Sequence, residues 1–188
     1  AELVWMRTGD SGAATAELDA ALRARPGNAQ LRIFKAKLLE WACSPREALA
    51  ELDRGLAAAQ DNLDLHLAAA QTAFKCDPPA ALVHAEYVRH HAMPDIPVLS
   101  AYGNALLANG RADEAARIAD EMLKLDPHDG HAIALRASAW RVMDHPRYRE
   151  LYDYGHFVHV GSIDVPAGWP SLTDYLHDLA AALHRRHV

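Results

Sequence analysis

Residues 96–129 read IPVLSAYGNALLANGRADEAARIADEMLKLDPHD, and this stretch decides the fold. Its apolar residues recur at helical spacing, first at Leu99, Tyr102 and Leu106 and then at Ile118, Met122 and Leu125. The turn residues Asn109 and Gly110 separate the two series, and Pro127 follows the second. The stretch therefore predicts two amphipathic helices that are joined by a tight turn and followed by a break.

The same unit recurs along the chain at a nearly fixed interval. Small residues stand 33 or 34 positions apart in two series, namely Ala36, Ala69, Gly103 and Ala137, and Ala14, Ala48, Ala81 and Ala115. Small side chains at these positions allow two helices to approach closely. The spacing predicts helices over 11–25, 29–41, 45–59, 62–75, 78–92, 96–109, 112–125 and 129–143, with residues 1–8 as the second half of an earlier first helix.

A helix-turn-helix unit of about 34 residues resembles the tetratricopeptide repeat. The residues that stand where this family has its first-helix pattern are Leu99, Tyr102, Gly103 and Leu106. The sequence NGRADEA over 109–115 is also similar to the family's turn between helices. The resemblance covers about residues 1–145 and implies an all-α, right-handed superhelical array of helix pairs. Arg32 and Lys35 depart from the pattern, because the family has apolar residues there.

In this family the first helix of each pair lines a concave face, so the resemblance implies a groove that binds a protein or peptide. Projecting the repeat spacing onto these helices gives the candidate groove residues Gln30, Ile33, Lys37, Trp41, His66, Phe74, Ser100, Asn104, His131, Ser138 and Arg141. Trp41 and Phe74 either anchor a partner or cover the core between repeats. Lys37, Asn104 and Arg141 are too scattered to form the family's clamp for a C-terminal carboxylate.

The composition changes near residue 145. Alanine, the best helix former, occurs 34 times before residue 141 and four times after it. Residues 146–188 are therefore expected to form a mixed extension. It comprises a short helix from Pro146 to Gly155, paired extended segments over 156–160 and 162–165, and an amphipathic helix starting at Ser171 with the stripe Leu172, Tyr175, Leu176, Leu179 and Leu183. This extension either caps the array or leads into a further domain.

A second resemblance lies in this extension. The matching features are Leu151-Tyr152-Asp153-Tyr154, then Val165-Pro166-x-Gly168-Trp169-Pro170-Ser171-Leu172, then a leucine-rich helix that ends in histidine. They resemble the junction, in bacterial proteins, between tetratricopeptide repeats and an Fe(II)/2-oxoglutarate oxygenase domain. The resemblance implies that the array presents a substrate or drives self-association in a larger oxygenase whose catalytic domain follows Val188. The alternative is a stand-alone adaptor or scaffold with no catalytic domain.

Residues that could carry catalysis or bind a metal do not converge in this sequence. In the pair His84-x-Glu86, positions i and i+2 of a helix do not face one point, so the pair cannot form an iron triad. His184 and His187 could share a helix face, but no cluster of cysteines or carboxylates completes a zinc site. We therefore expect no catalytic residue, no metal and no cofactor in this chain.

Composition also bounds the partners and the location. The net charge of −6, without a basic block, disfavours nucleic acid, and no apolar run is long enough to span a membrane. Cys43 and Cys76 fall in separate turns, which predicts two free thiols and a reducing, cytoplasmic location. The expected partner is a protein or peptide, with self-association as one form of it.

Overall fold

Nine helices form the array in the computed structural model, which describes residues 1–186. They are α1 (Glu2–Thr8), α2 (Ser11–Ala24), α3 (Ala29–Trp41), α4 (Pro45–Ala58), α5 (Leu63–Ala73), α6 (Pro78–His91), α7 (Ile96–Ala108), α8 (Ala112–Leu125) and α9 (Gly130–Val142). The eight helices predicted over residues 11–143 are confirmed, and each end lies within two residues of its expected position. Three further helices follow, namely α10 (Tyr148–Leu151), α11 (Tyr154–Phe157) and α12 (Leu172–Arg186).

The helices of the array fall into two sets. The A helices are α1, α3, α5, α7 and α9, and the B helices are α2, α4, α6 and α8. Each helix packs on the next along the chain, and α3, α5, α7 and α9 also contact one another in sequence. The A helices α3, α5, α7 and α9 therefore form a continuous layer, which is the arrangement of a helical-repeat array.

Four A helices begin with the same side-chain cap. The capping residues are Asn28, Asn62, Asp95 and Asp129, and each accepts a hydrogen bond from the backbone N–H three residues further on, at distances of 3.0, 3.0, 2.9 and 2.6 Å. Such caps satisfy a backbone donor that the first turn of a helix leaves without a partner. One cap occurs in each successive repeat, so the caps define the register of the repeats.

Small residues lie where the helices approach most closely, as the sequence predicts. Every alanine of the two predicted series is buried. At Gly103 an added Cβ would overlap the Leu135 side chain and stand 3.2 Å from Cγ2 of Ile118. Gly103 thus permits α7 to meet α8 and α9 at one point.

The turns that follow α1, α3, α7 and α9 each contain one residue in the left-handed backbone region. Gly110 has φ 76°, its N–H donates to the Leu107 carbonyl at 3.1 Å, and the next N–H, of Arg111, donates to Leu106 at 2.9 Å. This is a Schellman ending, which favours glycine because other residues strain the backbone there. Cys43 and Asp144 occupy equivalent turns at φ 60° and 52°.

A buried carboxylate explains the two charged residues that break the repeat pattern. Glu51 on α4 is only 2% exposed. It accepts hydrogen bonds from Arg32 Nη1 and from Lys35 Nζ and Arg54 Nη1, the last two at 2.9 Å each. Lys35 also lies 2.6 Å from a carboxylate oxygen of Asp19, so the network joins α2, α3 and α4.

Burial raises the pKa of Glu51, but the hydrogen bond and charge of Lys35 and the charge of Arg32 outweigh it. The pKa of Glu51 is therefore lowered from its ordinary 4.5. Burial likewise lowers the pKa of Lys35, but Asp19 and Glu51 more than compensate, so that this pKa is raised. Both groups are held in their charged forms.

The C-terminal unit differs from the mixed extension that the sequence predicts. The chain divides into two compact units, Ala1–Tyr148 and Arg149–Val188. The prediction of paired extended segments over 156–160 and 162–165 is wrong, because no strand occurs in the described residues and residues 156–157 belong to α11. The N–H groups of Phe157 and Val158 donate to carbonyls within that turn, and residues 158–165 are exposed, so no core favours pairing there. The predicted helix from Pro146 to Gly155 is instead the two short helices α10 and α11.

The amphipathic helix of the extension is present as α12, with its predicted start. The N–H of Asp174 donates to Ser171 Oγ at 3.2 Å, and that hydroxyl donates to the Asp174 carboxylate at 2.6 Å. Trp169 braces the first turns by donating to Asp178 at 3.0 Å. The stripe residues Leu176, Leu179 and Leu183 are 39–49% exposed.

We predict that Gly110→Ala lowers the free energy of unfolding by about 1 kcal/mol, because alanine at positive φ is strained. No atom lies within 4 Å of the added Cβ, so the cost is conformational and not a steric clash. Urea unfolding measures it. The matched control is Gly27→Ala, which has equally open surroundings and no positive φ, and it should be neutral or slightly stabilising. Equal losses of unfolding free energy in both variants would refute the assignment of backbone strain to position 110.

We predict that Glu51→Gln lowers the free energy of unfolding by about 3 kcal/mol, because Arg32 loses its carboxylate while it stays largely buried. The exposed Glu47 of the same helix supplies the control Glu47→Gln, which should change little. Since the pKa of Glu51 is lowered on folding, its contribution is complete above pH 4.5 and is lost as pH falls through the folded-state pKa. If the free energy of unfolding of Glu51→Gln fell with decreasing pH in the same way as that of the wild type, this account would be contradicted.

Candidate functional site

The exposed side of the A helices carries a groove between α3 and α5. Gln30, Ile33 and Lys37 of α3 line it, together with Asp64, Leu67, Ala68 and Gln71 of α5. Across it, Gln30 Nε2 donates to the Asp64 carboxylate at 3.2 Å. Its volume is about 210 Å³, which is below the ~300 Å³ at which sites for whole small molecules begin. The groove suits individual side chains of a larger ligand.

Three aromatic residues lie on α3 or contact a side chain of α3. Trp41 is 46% exposed, and its ring centroid lies 6.4 Å from that of Trp5. Phe34 is 40% exposed and shares a face of α3 with Lys37 and Trp41, at spacings of three and four residues. The repeat projection predicts Trp41 as a groove residue but not Phe34, although the spacing of Phe34, Lys37 and Trp41 is visible in the sequence.

The structure places two predicted groove residues, His66 and Phe74, away from this groove. His66 is half-buried against α6, where its ring stacks on Tyr87 with 4.0 Å between centroids. Phe74 packs against a buried cluster that includes Ala70, Ala81 and Ala101. Both therefore contribute to contacts between helices.

A one-residue error in register explains these two positions. The prediction aligned Ala36 of α3 with Ala69 of α5, but the caps Asn28 and Asn62 align Ala36 with Ala70. Ala69 and Ala70 are both buried, so a series of small residues fits either register. In the register of the caps, the groove residues of α3 correspond in order to the α5 residues that do line the groove, namely Gln30 to Asp64, Ile33 to Leu67 and Lys37 to Gln71. The caps were the signal that could have found them.

The remaining predicted residues lie on α7 and α9. Asn104 Nδ2 is 3.1 Å from His131 Nε2, so this pair connects the two A helices as Gln30 and Asp64 connect α3 and α5. Ser100 is half-buried, whereas Ser138 and Arg141 are exposed. The predicted residues are thus grouped as Gln30, Ile33 and Lys37 at one end and Asn104 with His131 at the other.

One position recurs with polar side chains on all four capped A helices. Directly after the buried small residue of each helix stand Lys37, Gln71, Asn104 and Ser138, which we call the polar row. Lys37, Gln71 and Ser138 are exposed, and Asn104 is half-buried. All four side chains can donate hydrogen bonds, and three of them can also accept.

Other candidate chemistry receives no support from the geometry. Within residues 1–186 no group of three His, Cys, Asp or Glu residues could hold a metal ion. His84 is engaged by His66 and Glu86 by Arg111, so these two side chains do not converge. Of the predicted pair His184 and His187, His187 lies outside the described residues. No described helix is long and apolar enough to cross a membrane.

Both cysteines are free thiols, as predicted. Cys43 is exposed and Cys76 is half-buried. Burial raises the pKa of the Cys76 thiol, and the positive charge of Arg46 only partly offsets this. Cys76 is therefore a poor nucleophile at neutral pH.

We predict that Phe74→Ala lowers the free energy of unfolding by about 2 kcal/mol, because it removes half-buried packing between helices. The matched variant is Gln71→Ala on the exposed face of the same helix, which should change stability by less than about 0.5 kcal/mol. Denaturant unfolding distinguishes the two. A larger loss for Gln71→Ala would contradict the register.

Comparison with known proteins agrees with this arrangement. The family profile described as tetratricopeptide repeat matches residues 2–128. No curated protein matches the chain. A tetratricopeptide repeat protein from Parabacteroides merdae has a TM-score of 0.68 at 14% identity, over 85% of this chain and 63% of that one. The chain therefore spans less than two thirds of that protein's length.

Two further solved structures are similar to the chain. MamA has a TM-score of 0.63 at 16% identity, over 80% of this chain and 87% of that one. YrrB, described as a tetratricopeptide repeat protein with an unusual peptide-binding site, has a TM-score of 0.62 at 18% identity, over 98% of this chain and 88% of that one. At such identities the likeness shows the fold alone.

Proposed function

The chain belongs to the tetratricopeptide repeat family, and we propose from this premise that its A-helix face binds an extended segment of another protein. The observation that carries the proposal is the polar row, Lys37, Gln71, Asn104 and Ser138. It presents one hydrogen-bonding side chain on each of four consecutive A helices.

The spacing of this row suits an extended peptide. Packed helices lie about 8–10 Å apart, and an extended chain advances about 3.3 Å per residue. Each repeat therefore corresponds to about three peptide residues. Amide side chains such as those of Gln71 and Asn104 can bond backbone N–H and C=O groups without regard to sequence.

The α3–α5 end of the A-helix face adds apolar contacts to the hydrogen bonds that the polar row can make. Ile33 and Leu67 lie in the groove, and Phe34 and Trp41 of α3 are exposed. Aromatic side chains of this kind dominate the energetics of many interfaces. We therefore assign the anchor for an apolar or aromatic side chain of the partner to this end.

A narrower proposal concerns the whole protein. The likeness of residues 151–187 to a junction in bacterial proteins supports a role as the substrate-presenting or assembly arm of a cytoplasmic Fe(II)/2-oxoglutarate oxygenase. The alternative is an adaptor or scaffold without a catalytic domain, and the helical array serves both equally. Fe(II)-dependent turnover of 2-oxoglutarate to succinate by the full gene product, absent from this chain alone, is the result expected for the first. Its absence would leave the second.

The binding proposal is tested with peptides selected from a random display library on the wild-type protein. We predict that Trp41→Ala, and the double variant Gln71→Ala/Asn104→Ala, each weaken the selected peptides by about tenfold or more in fluorescence polarisation. The control is Val83→Ala on the B helix α6, where an apolar side chain is 66% exposed, and its affinity should match the wild type. Circular dichroism would verify folding of each variant. A library that yields no binder, or binders insensitive to both A-helix variants, would contradict the proposal.

A further inference from the structure

Two histidines join α5 to α6 through a direct hydrogen bond. Their Nδ1 atoms lie 2.9 Å apart, and Nε2 of His66 lies 2.7 Å from the Gln60 carbonyl oxygen. A carbonyl only accepts, so His66 carries its hydrogen on Nε2 and offers a lone pair at Nδ1. His84 must then donate from its own Nδ1. When both rings are neutral, this arrangement requires them to be opposite tautomers.

The pair sits in a column of stacked rings. His66 stacks on Tyr87 at 4.0 Å between centroids, and Tyr87 stacks in turn on His91 at 4.2 Å. The Tyr87 hydroxyl donates to the Asp61 carboxylate at 3.1 Å, which fixes the ring that supports His66. The His66 ring is thus held by its stacking on Tyr87 and by its hydrogen bonds, which restrict its rearrangement.

Two carboxylates lie in the surroundings of the pair. Asp53 on α4 acts on His84, and Asp61 lies in the connection between α4 and α5. The helix α7, which also packs on α5 and α6, contributes the buried residues Ala101 and Ala105 to the apolar cluster among these helices. Burial and the nearby His66 lower the pKa of His84 from 6.5, and the negative charge of Asp53 only partly offsets them.

We propose that the His66–His84 pair makes the α5–α6 interface a proton-sensitive joint, which opens when both rings are protonated. One added proton can be shared, since an imidazolium still donates to the neutral partner. A second proton puts hydrogens on both Nδ1 atoms, so that two donors and two positive charges face each other at hydrogen-bond distance. The doubly charged form therefore has no arrangement in which both Nδ1 groups find an acceptor.

The sign of the pH effect follows from the neutral state of the pair. Because the pKa of His84 is lowered on folding, its contribution is complete above pH 6.5 and is lost as pH falls through the folded-state value. Over that interval the folding equilibrium constant falls by about tenfold per pH unit for each proton that only the unfolded state binds. The loss of the His84 contribution thus begins at a higher pH than the loss of the Glu51 contribution, which begins below pH 4.5.

The joint would also regulate the binding face, a consequence that rests on the proposed function. The helix α5 carries His66 on one side and Asp64, Leu67 and Gln71 on the groove side. Loss of its packing on α6 would displace these groove residues. Peptides selected at pH 7.5 should therefore bind more weakly at pH 5.5, which lies below the ordinary pKa of 6.5 for His84.

The test is amide hydrogen exchange at pH 7.5 and 5.5, corrected for intrinsic rates, with urea unfolding over the same range. In the wild type, protection in α5 and α6 should fall by about tenfold more than in α8. The double variant His66→Asn/His84→Asn should lose this difference, whereas His90→Asn should keep it. His90 is exposed on α6, the helix that carries His84, and its Nδ1 atom bonds the backbone carbonyl of Glu86 one turn earlier.

Equal pH dependence in the double variant and the wild type would overturn the joint. If the double variant does not fold, nitrogen-15 spectra of the wild-type imidazoles decide, since hydrogen on His66 Nε2 and His84 Nδ1 is expected at pH 7.5 and any other pattern refutes the pair. Peptide affinity that falls at pH 5.5 equally in both proteins would refute the regulation alone. Failure to bind peptide at any pH would refute the proposed function, while exchange would still test the joint.

Discussion

Close contact between helices at small residues is the constraint on which the array depends. In the register of the caps, α3, α5, α7 and α9 carry Ala36, Ala70, Gly103 and Ala137 at one shared position, and all four are buried. At Gly103 even a methyl group would overlap Leu135. A larger side chain would separate α7 from its neighbours, and every later helix would inherit the displacement, because each repeat is positioned mainly by the one before it.

This shared register places chemically equivalent residues in rows along the A-helix face. The polar row arises because its members stand one position after the buried small residues, where the helix turns towards solvent. The two ends of the face differ, with aromatic and aliphatic residues on α3 and α5 and the hydrogen-bonded pair Asn104 and His131 on α7 and α9. Arg32 and Lys35 stand at positions where the repeat pattern has apolar residues. The buried Glu51 on the next helix forms an ion pair with both of them.

The sequence predicts most of this fold because periodic small residues, turns and apolar stripes are local signals. It predicts less of the site, since an error of one residue turns a side chain by about 100° around a helix and moved His66 and Phe74 from the groove to the helix interfaces. The Glu51 network and the His66–His84 pair join residues that lie on different helices, so no local sequence pattern predicts them. The predicted strands near Gly161 failed because β propensity without a covered face does not stabilise pairing.

The central claim is that the A helices present a row that an extended chain crosses at a fixed spacing. Photo-crosslinking tests it most directly, with a photoreactive residue placed in turn at Gln71, Asn104 and Ser138 and the captured peptide residues identified by mass spectrometry. The account predicts that the captured residues advance by about three positions per repeat, because an extended chain covers the helix spacing in that many residues. An advance of about six positions would indicate a helical ligand, and capture of one residue from all three positions would indicate no path along the row. Either result would contradict the account.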